Sequence, residues 1–265
     1  MSTPRYTYTT VNGEQVVTLE EWYLNDRLHR IDGPSSREWR VVDGHPLLTY
    51  EGWCLNGRYH RVDGSARREW MVVDGRPVLS LEEWYLDDLR HRIDGPAYQI
   101  WEVVDERLVL TAEGWYVNNQ RHRIDEPAYR EWQVVDGQLH LTVESWHLNG
   151  QLHRIGEPAR REWTKLDNDE VALTREAWYL NGRQHRIDGP ALRNWAWDVN
   201  NEFIVLNGWY LKGIVIQPRI LRQPVRVIER WWLFQRVRRQ KATESLLWDS
   251  GMTVFPGFMD LLREY

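Results

Sequence analysis

Apolar and polar positions alternate in short runs, and each run ends at a pair of turn residues. Trp53-Cys54-Leu55 runs into Asn56-Gly57, and Trp39-Arg40-Val41-Val42 runs into Asp43-Gly44. The same punctuation recurs at Asn149-Gly150, Asn181-Gly182, Asp74-Gly75 and Asp136-Gly137. Asn-Gly and Asp-Gly accept φ > 0 at both central positions, as a type I′ hairpin turn demands. The flanking Trp-Tyr-Leu and Trp-x-Val-Val stretches favour strands. Ile-Asp-Gly-Pro breaks the chain between hairpins, because proline donates nothing to a ladder. Helical spacing is absent, so residues 1–216 read as an all-β, antiparallel hairpin meander.

The hairpins repeat. Trp22, Trp53, Trp84, Trp115, Trp146, Trp178 and Trp209 are spaced 31 residues apart, with one step of 32 between Trp146 and Trp178. Trp39, Trp70, Trp101, Trp132, Trp163 and Trp195 each follow the first series by 17 residues. One extra residue in the loop Asp167-Asn168-Asp169-Glu170 accounts for the longer step. His29, His60, His91, His122, His153 and His185 keep the same period, each followed by Arg. Glu20, Glu51, Glu82, Glu113, Glu144 and Glu176 stand two residues before the first-series Trp. Tyr8-Thr9-Thr10-Val11-Asn12-Gly13 aligns with Trp39–Gly44, and the array ends at Trp209–Gly213. There are thus six full 31-residue units and two complementary half-repeats.

Turn type fixes register. With Asn56-Gly57 as the loop, Leu55 faces Arg58, Cys54 faces Tyr59 and Trp53 faces His60. In the second half of a unit, Trp39 faces Leu48 and Val41 faces Pro46. These pairings put rows of Trp on one face, each covered by an imidazole or a Leu, with the indole N–H in need of an acceptor. Two main architectures compete. An open twisted sheet packs each unit only on its neighbours. A closed propeller-like ring would join the two half-repeats. A unit of 31 residues is short beside propeller blades of about 40–50, which favours the open sheet. A parallel solenoid is the third option, opposed by the paired hairpin turns.

Composition narrows the class. The chain has 265 residues, 42% hydrophobic and 28% charged, which excludes disorder and collagen. No run approaches 18 apolar residues, so no spanning helix is expected. The N-terminal residues lack an apolar h-region, so a cytoplasmic rather than secreted protein is expected. A single cysteine, Cys54, precludes an internal disulfide and any Cys-based zinc cluster. The net charge of −5 is unevenly placed. Residues 219–241 hold eight basic groups and one acid, and residues 242–265 hold Arg263 against four acids, which leaves −9 for 1–218.

The six His-Arg pairs are the most tempting chemistry. Four strands per unit in one sheet would separate equivalent His by about 19 Å, which forbids a shared metal; a solenoid would bring them near 4.8 Å. His140 and His147 lie outside the series and read as surface residues. The Glu20 series with the Asp32 series could form acid–base pairs. Six copies of one constellation instead suggest Arg–carboxylate pairing within the sheet or a repeated binding surface. No nucleophile elbow, P-loop, dinucleotide fingerprint or H-E-x-x-H motif occurs. No catalytic residue, metal ligand or cofactor is expected. Repeated Trp and Tyr would suit a multivalent sugar- or ligand-binding module, if their faces were open.

At His29-Arg30-Ile31-Asp32-Gly33-Pro34, His91–Ala97 and His185–Ala191 the unit resembles the W-Y-x-N-G-x-x-H-R-x-D-G-P-A repeats found in proteins of large DNA viruses and phages. Those repeats look like divergent relatives of MORN repeats. The resemblance covers about residues 6–216. It implies an elongated hairpin sheet and a scaffolding, self-associating or membrane-associated role, in a host-cell cytoplasm or virion. It carries over no catalytic residue. Gly156, Glu126 and Glu157 replace the expected Asp and Gly, so those turns must be remade.

The repeat stops after Gly213, and Pro218 and Pro224 punctuate the linker that follows. Val225, Ile228 and Trp232 fall at i, i+3 and i+7, a helical pattern. Arg222, Arg226, Arg230, Arg236, Arg238 and Arg239 surround it, with Trp231 and Trp232 between them. Residues 217–265 therefore read as a basic, partly helical segment. It could cap the sheet edge, dock on an acidic partner or a second copy, or bind an anionic membrane surface. No nucleic-acid fold accompanies it, so sequence-specific reading is not expected.

Overall fold

A computed structural model describes residues 2–166, 171–197 and 203–215. The partly helical segment expected over residues 217–265 lies outside them. Within them there is no helix. Fourteen strands follow one another in chain order across one antiparallel sheet, from Thr3–Val11 and Glu14–Leu24, through Ser36–Val42 and His45–Gly52, to Leu192–Trp197 and Phe203–Gly208. The short strand Arg27–Leu28 joins at Glu14–Leu24. The sheet is open: Thr3–Val11 and Phe203–Gly208 form its two edges and do not meet.

Each unit adds one long hairpin to this sheet and one short hairpin beside it. Cys54–Leu55 with Arg58–Tyr59 is a short hairpin. The allowance of four strands per unit in one sheet is therefore corrected to two, and equivalent residues recur every two strand spacings, about 9.6 Å. The short hairpins stand side by side and are joined through their backbones. Arg30 N–H donates to Cys54 O (3.1 Å) and Gly57 N–H to Leu28 O (2.8 Å), and the pattern repeats as far as Gly213 N–H to Gln184 O (2.8 Å).

The registers set by the turns are those observed. Cys54 faces Tyr59, Leu55 faces Arg58, Trp39 faces Leu48 and Val41 faces Pro46. His60 N–H donates to Trp53 O (2.9 Å). Asn56 and Gly57 have φ of 54° and 82°, and Asp43 and Gly44 have 50° and 81°, the type I′ signature. In the longer unit, Trp163 faces Leu173 and Lys165 faces Val171, so the extra residue falls between Lys165 and Val171.

A feature the pattern did not disclose is a bulge in each of the first six long hairpins, as between Glu38 and Trp39. The extra residue is Ser or Thr, and its hydroxyl donates to the opposing carbonyl: Thr49 to Glu38 O (3.2 Å), Ser80 to Glu69 O (3.1 Å), Thr142 to Glu131 O (3.1 Å). The last hairpin carries Val205 at this position and shows no register shift.

Few large side chains are fully buried. The tightest positions are the alanines that close each His-Arg loop: Ala66, Ala97, Ala128, Ala159 and Ala191 have no exposed surface. Each lies between two backbone partners, as Ala97 does, donating to Gly114 O (2.9 Å) and accepting from Trp84 N–H (2.8 Å). The first unit has Ser35 at this position, equally buried, with its hydroxyl donating to Gly52 O (3.1 Å).

Candidate functional site

One face of the sheet is built from the repeated charges. Cross-strand registers line up Tyr6, Glu20, Arg37, Glu51, Arg68, Glu82, Gln99, Glu113, Arg130, Glu144, Arg161, Glu176, Arg193 and Asn207 in a single row. Glu and Arg alternate along it except at Gln99 and the two ends. Arg37 reaches Glu20 (3.3 Å) and Glu51 (3.1 Å), Arg130 reaches Glu113 (3.0 Å) and Arg161 reaches Glu144 (2.9 Å). The carboxylates are nearly buried, so the ladder shields them from water. The Glu20 series is thus spoken for by Arg, as the pairing expectation held.

Both Trp series flank this ladder and are mostly half-buried; Trp146 and Trp178 are buried. The first series has a cover that was not expected. The Arg of each His-Arg pair lies on the indole. Arg30, Arg61, Arg92, Arg123, Arg154 and Arg186 sit 3.7–4.2 Å from the ring centroids of Trp22, Trp53, Trp84, Trp115, Trp146 and Trp178. Such contacts are worth about 0.5–2 kcal/mol each, depending on desolvation. The stacked guanidinium occupies an indole face that sugar stacking would need. The expected N–H acceptor is present at Trp22, which donates to Glu20 (3.0 Å). At Trp53, Trp84, Trp115, Trp146 and Trp178 the N–H is buried with no acceptor in reach.

The same Arg clamps its loop. Arg92 Nε donates to Asp94 (2.9 Å) and a terminal nitrogen to Pro96 O (3.3 Å). Its guanidinium lies where a Cβ on Gly95 would be, 2.5 Å from the nearest atom, which explains the glycine. The Arg hydrogen bond holds the Asp32, Asp63 and Asp94 carboxyls below their ordinary range. Where Glu replaces that glycine the turn is rebuilt, as anticipated. Asp125 takes φ of 64° and Gly156 of 80°, and Arg123 and Arg154 pair with Glu126 (2.5 Å) and Glu157 (3.2 Å).

Each His of the series reaches forward to the next unit. His29 Nδ1 accepts from Asn56 N–H (3.1 Å), His91 from Asn118 (3.3 Å), His122 from Asn149 (3.2 Å), His153 from Asn181 (3.2 Å) and His185 from Lys212 (3.1 Å). His60 Nδ1 instead meets the Asp87 carboxylate (3.0 Å). The imidazoles are joints between neighbouring short hairpins. Their spacing of about 9.6 Å is too great for a shared metal. Among the described residues no group of three or more His, Cys, Asp or Glu could hold a metal ion. No described helix is long and apolar enough to cross a membrane.

The loops leave one residue of each unit in water. Ile31, Val62, Ile93 and Ile155 are 79–82% exposed, and Ile124 and Ile187 less so. Beside them the Asp32, Asp63 and Asp94 side chains are 81–85% exposed, whereas Arg30, Arg61 and Arg92 are 18–22% exposed. Solvent therefore meets the carboxylate and the aliphatic group, while the cation faces inward. The result is a stripe of six branched aliphatic side chains at one-unit intervals, each with at least one acidic neighbour.

The opposite face differs from unit to unit. Tyr50 and Tyr59 share a hydroxyl hydrogen bond (2.7 Å) beside buried Cys54, whose thiol burial pushes up. In the next unit Glu83 is 1% exposed, held by Arg67 (2.7 Å) and Arg90, with Tyr85 donating to it (3.1 Å). Burial and this carboxylate push the Tyr85 hydroxyl up to about 12. Two units further on the Tyr position is taken by His147. Against the expectation of a surface residue, His147 is buried, and its Nδ1 and the Ser145 hydroxyl have no partner. Burial, with Arg121 and Arg160 nearby, lowers its pKa to about 4. Its strand position, two residues after Ser145 on the enclosed face, was the missed signal. His140 is half-buried.

Among the anticipated site residues, the fold thus sets Glu in the sheet row with Arg on the first-series indoles, and His between neighbouring short hairpins. Arg222, Arg226, Arg230, Trp231, Trp232, Arg236, Arg238 and Arg239 lie outside the described residues. No protein-family model matches this chain, and no curated protein does.

Proposed function

We propose that this protein is a non-enzymatic scaffold of MORN-like repeats, which holds partners along the Ile/Val–Asp/Glu stripe in a host-cell cytoplasm or virion. The observation that carries this reading is the stripe itself. An aliphatic side chain with an acidic neighbour is offered to solvent six times, once per unit, on loops clamped by Arg. A partner with matching period gains from each unit in turn, so weak contacts sum to useful avidity. Chemistry is served poorly by such a surface, because its carboxylates are already paired and each unit repeats the last.

The test is affinity capture with quantitative mass spectrometry, comparing the full chain with a variant carrying Asn at positions 31, 62, 93, 124, 155 and 187. Partners lost together from the variant, with graded loss when one, three and six units are changed, support the reading. An unchanged partner set on the six-site variant overturns it. A glycan array addresses the sugar-binding alternative; hits that survive the Asn substitutions would favour that alternative.

A further inference from the structure

We infer that residues 219–241 of this same chain are a ligand of the stripe, so that the basic segment docks on the acidic, aliphatic loops and competes with outside partners. This deepens the proposed function and rests on the same surface.

Two observations meet here. The stripe presents Asp32, Asp63, Asp94, Glu126, Glu157 and Asp188 between exposed Ile and Val, with their Arg partners turned inward. Residues 219–241 supply the complement: eight basic groups against Glu229 alone, interleaved with Val225, Ile228, Trp231, Trp232 and Phe234. The apolar row and the large apolar groups of the segment cover each other, and the carboxylates, which keep their Arg partners but leave an edge in water, suit its cations.

Position commits the argument to this segment. The array ends at Val215, which by the 31-residue offset stands where Gln184 stands one unit earlier. Ile187 follows Gln184 by three residues, as residue 218 follows Val215 along the chain, and the basic segment begins at the next residue, Arg219. Arg219 is four steps along the chain from Val215, a reach of at most about 14 Å. The tether therefore starts from the end of the array nearest Ile187 and Asp188, where Arg186 N–H donates to Tyr210 O (3.2 Å). Five intervals of two strand spacings make the stripe about 48 Å long, within the span of 23 residues if they are extended. Tethering raises the effective concentration of the segment to the millimolar range, which suits individually weak contacts. An anionic lipid surface would suit the basic segment, but the exposed carboxylates of the stripe would repel it.

Limited chymotrypsin digestion of the full chain tests this, reading cleavage after Trp231, Trp232 and Phe234 by mass spectrometry. Rates are normalised to a peptide of residues 217–241 of the same sequence. Docking predicts at least tenfold slower cleavage in the chain than in a variant carrying Val62→Asn, Ile93→Asn, Ile124→Asn and Ile155→Asn. A second variant, Arg226→Glu/Arg230→Glu/Arg236→Glu, leaves the array untouched and is expected to lose the same protection, as is the unaltered chain at high salt. Should the loop variant lose its far-ultraviolet signature, the segment variant decides. Equal normalised rates in the chain and the segment variant overturn the inference. So does protection that vanishes on dilution, which assigns the surface to a second copy, or protection that appears only with vesicles containing phosphatidylserine, which assigns the segment to lipid. Partner capture by the stripe is measured separately, so either reading can fail alone.

Discussion

On the ladder face, Arg61, Trp53 and Glu51 are arranged as Arg92, Trp84 and Glu82 are, and the same geometry recurs in each full unit. On the opposite face, the neighbouring units differ. A tyrosine pair beside Cys54 gives way to the Arg67–Glu83–Arg90 triad, then to Tyr116 and Tyr129 around Arg121, then to Ser145 with His147. A periodic face can be matched equally well after a slip of one whole unit, because Glu meets Arg again. The varied face removes that degeneracy, because Glu83 finds two guanidinium partners only where it is. Uniformity builds the surface that partners meet; variation sets which unit lies beside which.

Removing the most buried of the unit-specific charges breaks this comparison hardest. Glu83→Gln leaves Arg67 and Arg90 facing each other without their carboxylate, and a loss of about 3–5 kcal/mol is expected in urea unfolding. A cost below about 1 kcal/mol would remove the distinction between the faces.

His147 gives the next largest effect, and it depends on pH. Its pKa falls from 6.5 to about 4 on folding, so the unfolded chain takes the proton first. Stability should fall as pH drops from 6.5 towards 4, by about 3 kcal/mol at most, and this contribution should level off below that range. His147→Tyr, the residue found at positions 85, 116, 179 and 210, should flatten that part of the profile. Unfolding midpoints of the two proteins between pH 7 and pH 4 make the comparison; parallel curves would contradict the assignment.

The ladder should respond more mildly and in both directions. Arg130→Gln leaves Glu113 without its guanidinium partner and should cost about 1–2 kcal/mol. Gln99→Arg fills the one interior gap, between Glu82 and Glu113, and should add about 0.5–1 kcal/mol. Thermal melts suffice, and a destabilised Gln99→Arg protein would show that the gap is needed. The smallest effect is at the end of the array. Lys212 holds φ of 48° at a turn position where other units use Asn or Asp. Lys212→Asn should stabilise by about 0.5 kcal/mol, read as slower hydrogen exchange at Gly213.

Hairpin register was legible because it is local. Two turn residues with φ > 0 dictate which positions oppose each other, and so Trp39–Leu48 and Cys54–Tyr59 follow from Asp43-Gly44 and Asn56-Gly57 alone. The 31-residue period, the location of the extra residue and the remade turns at Glu126 and Glu157 follow from the same kind of reading. The bulge was less accessible. Thr49 and Thr142 are conspicuous in the repeat, yet a hydroxyl that satisfies a bulged carbonyl looks in sequence like one more strand threonine.

Contacts between units needed the three-dimensional structure, and the reason is periodicity. Trp22, His29, Arg30 and Asn56 all belong to series with one interval, so spacing cannot say which of them touch. Tertiary packing decided that the guanidinium lies on the indole and that the imidazole reaches about 27 residues forward to the next turn. It also decided that two strands per unit, not four, share the sheet, which sets the pitch of the exposed stripe. The chain's own letters fixed what each unit is; only packing between units, where backbone bonds and side-chain reach compete over a few ångströms, fixed what each unit does to its neighbour.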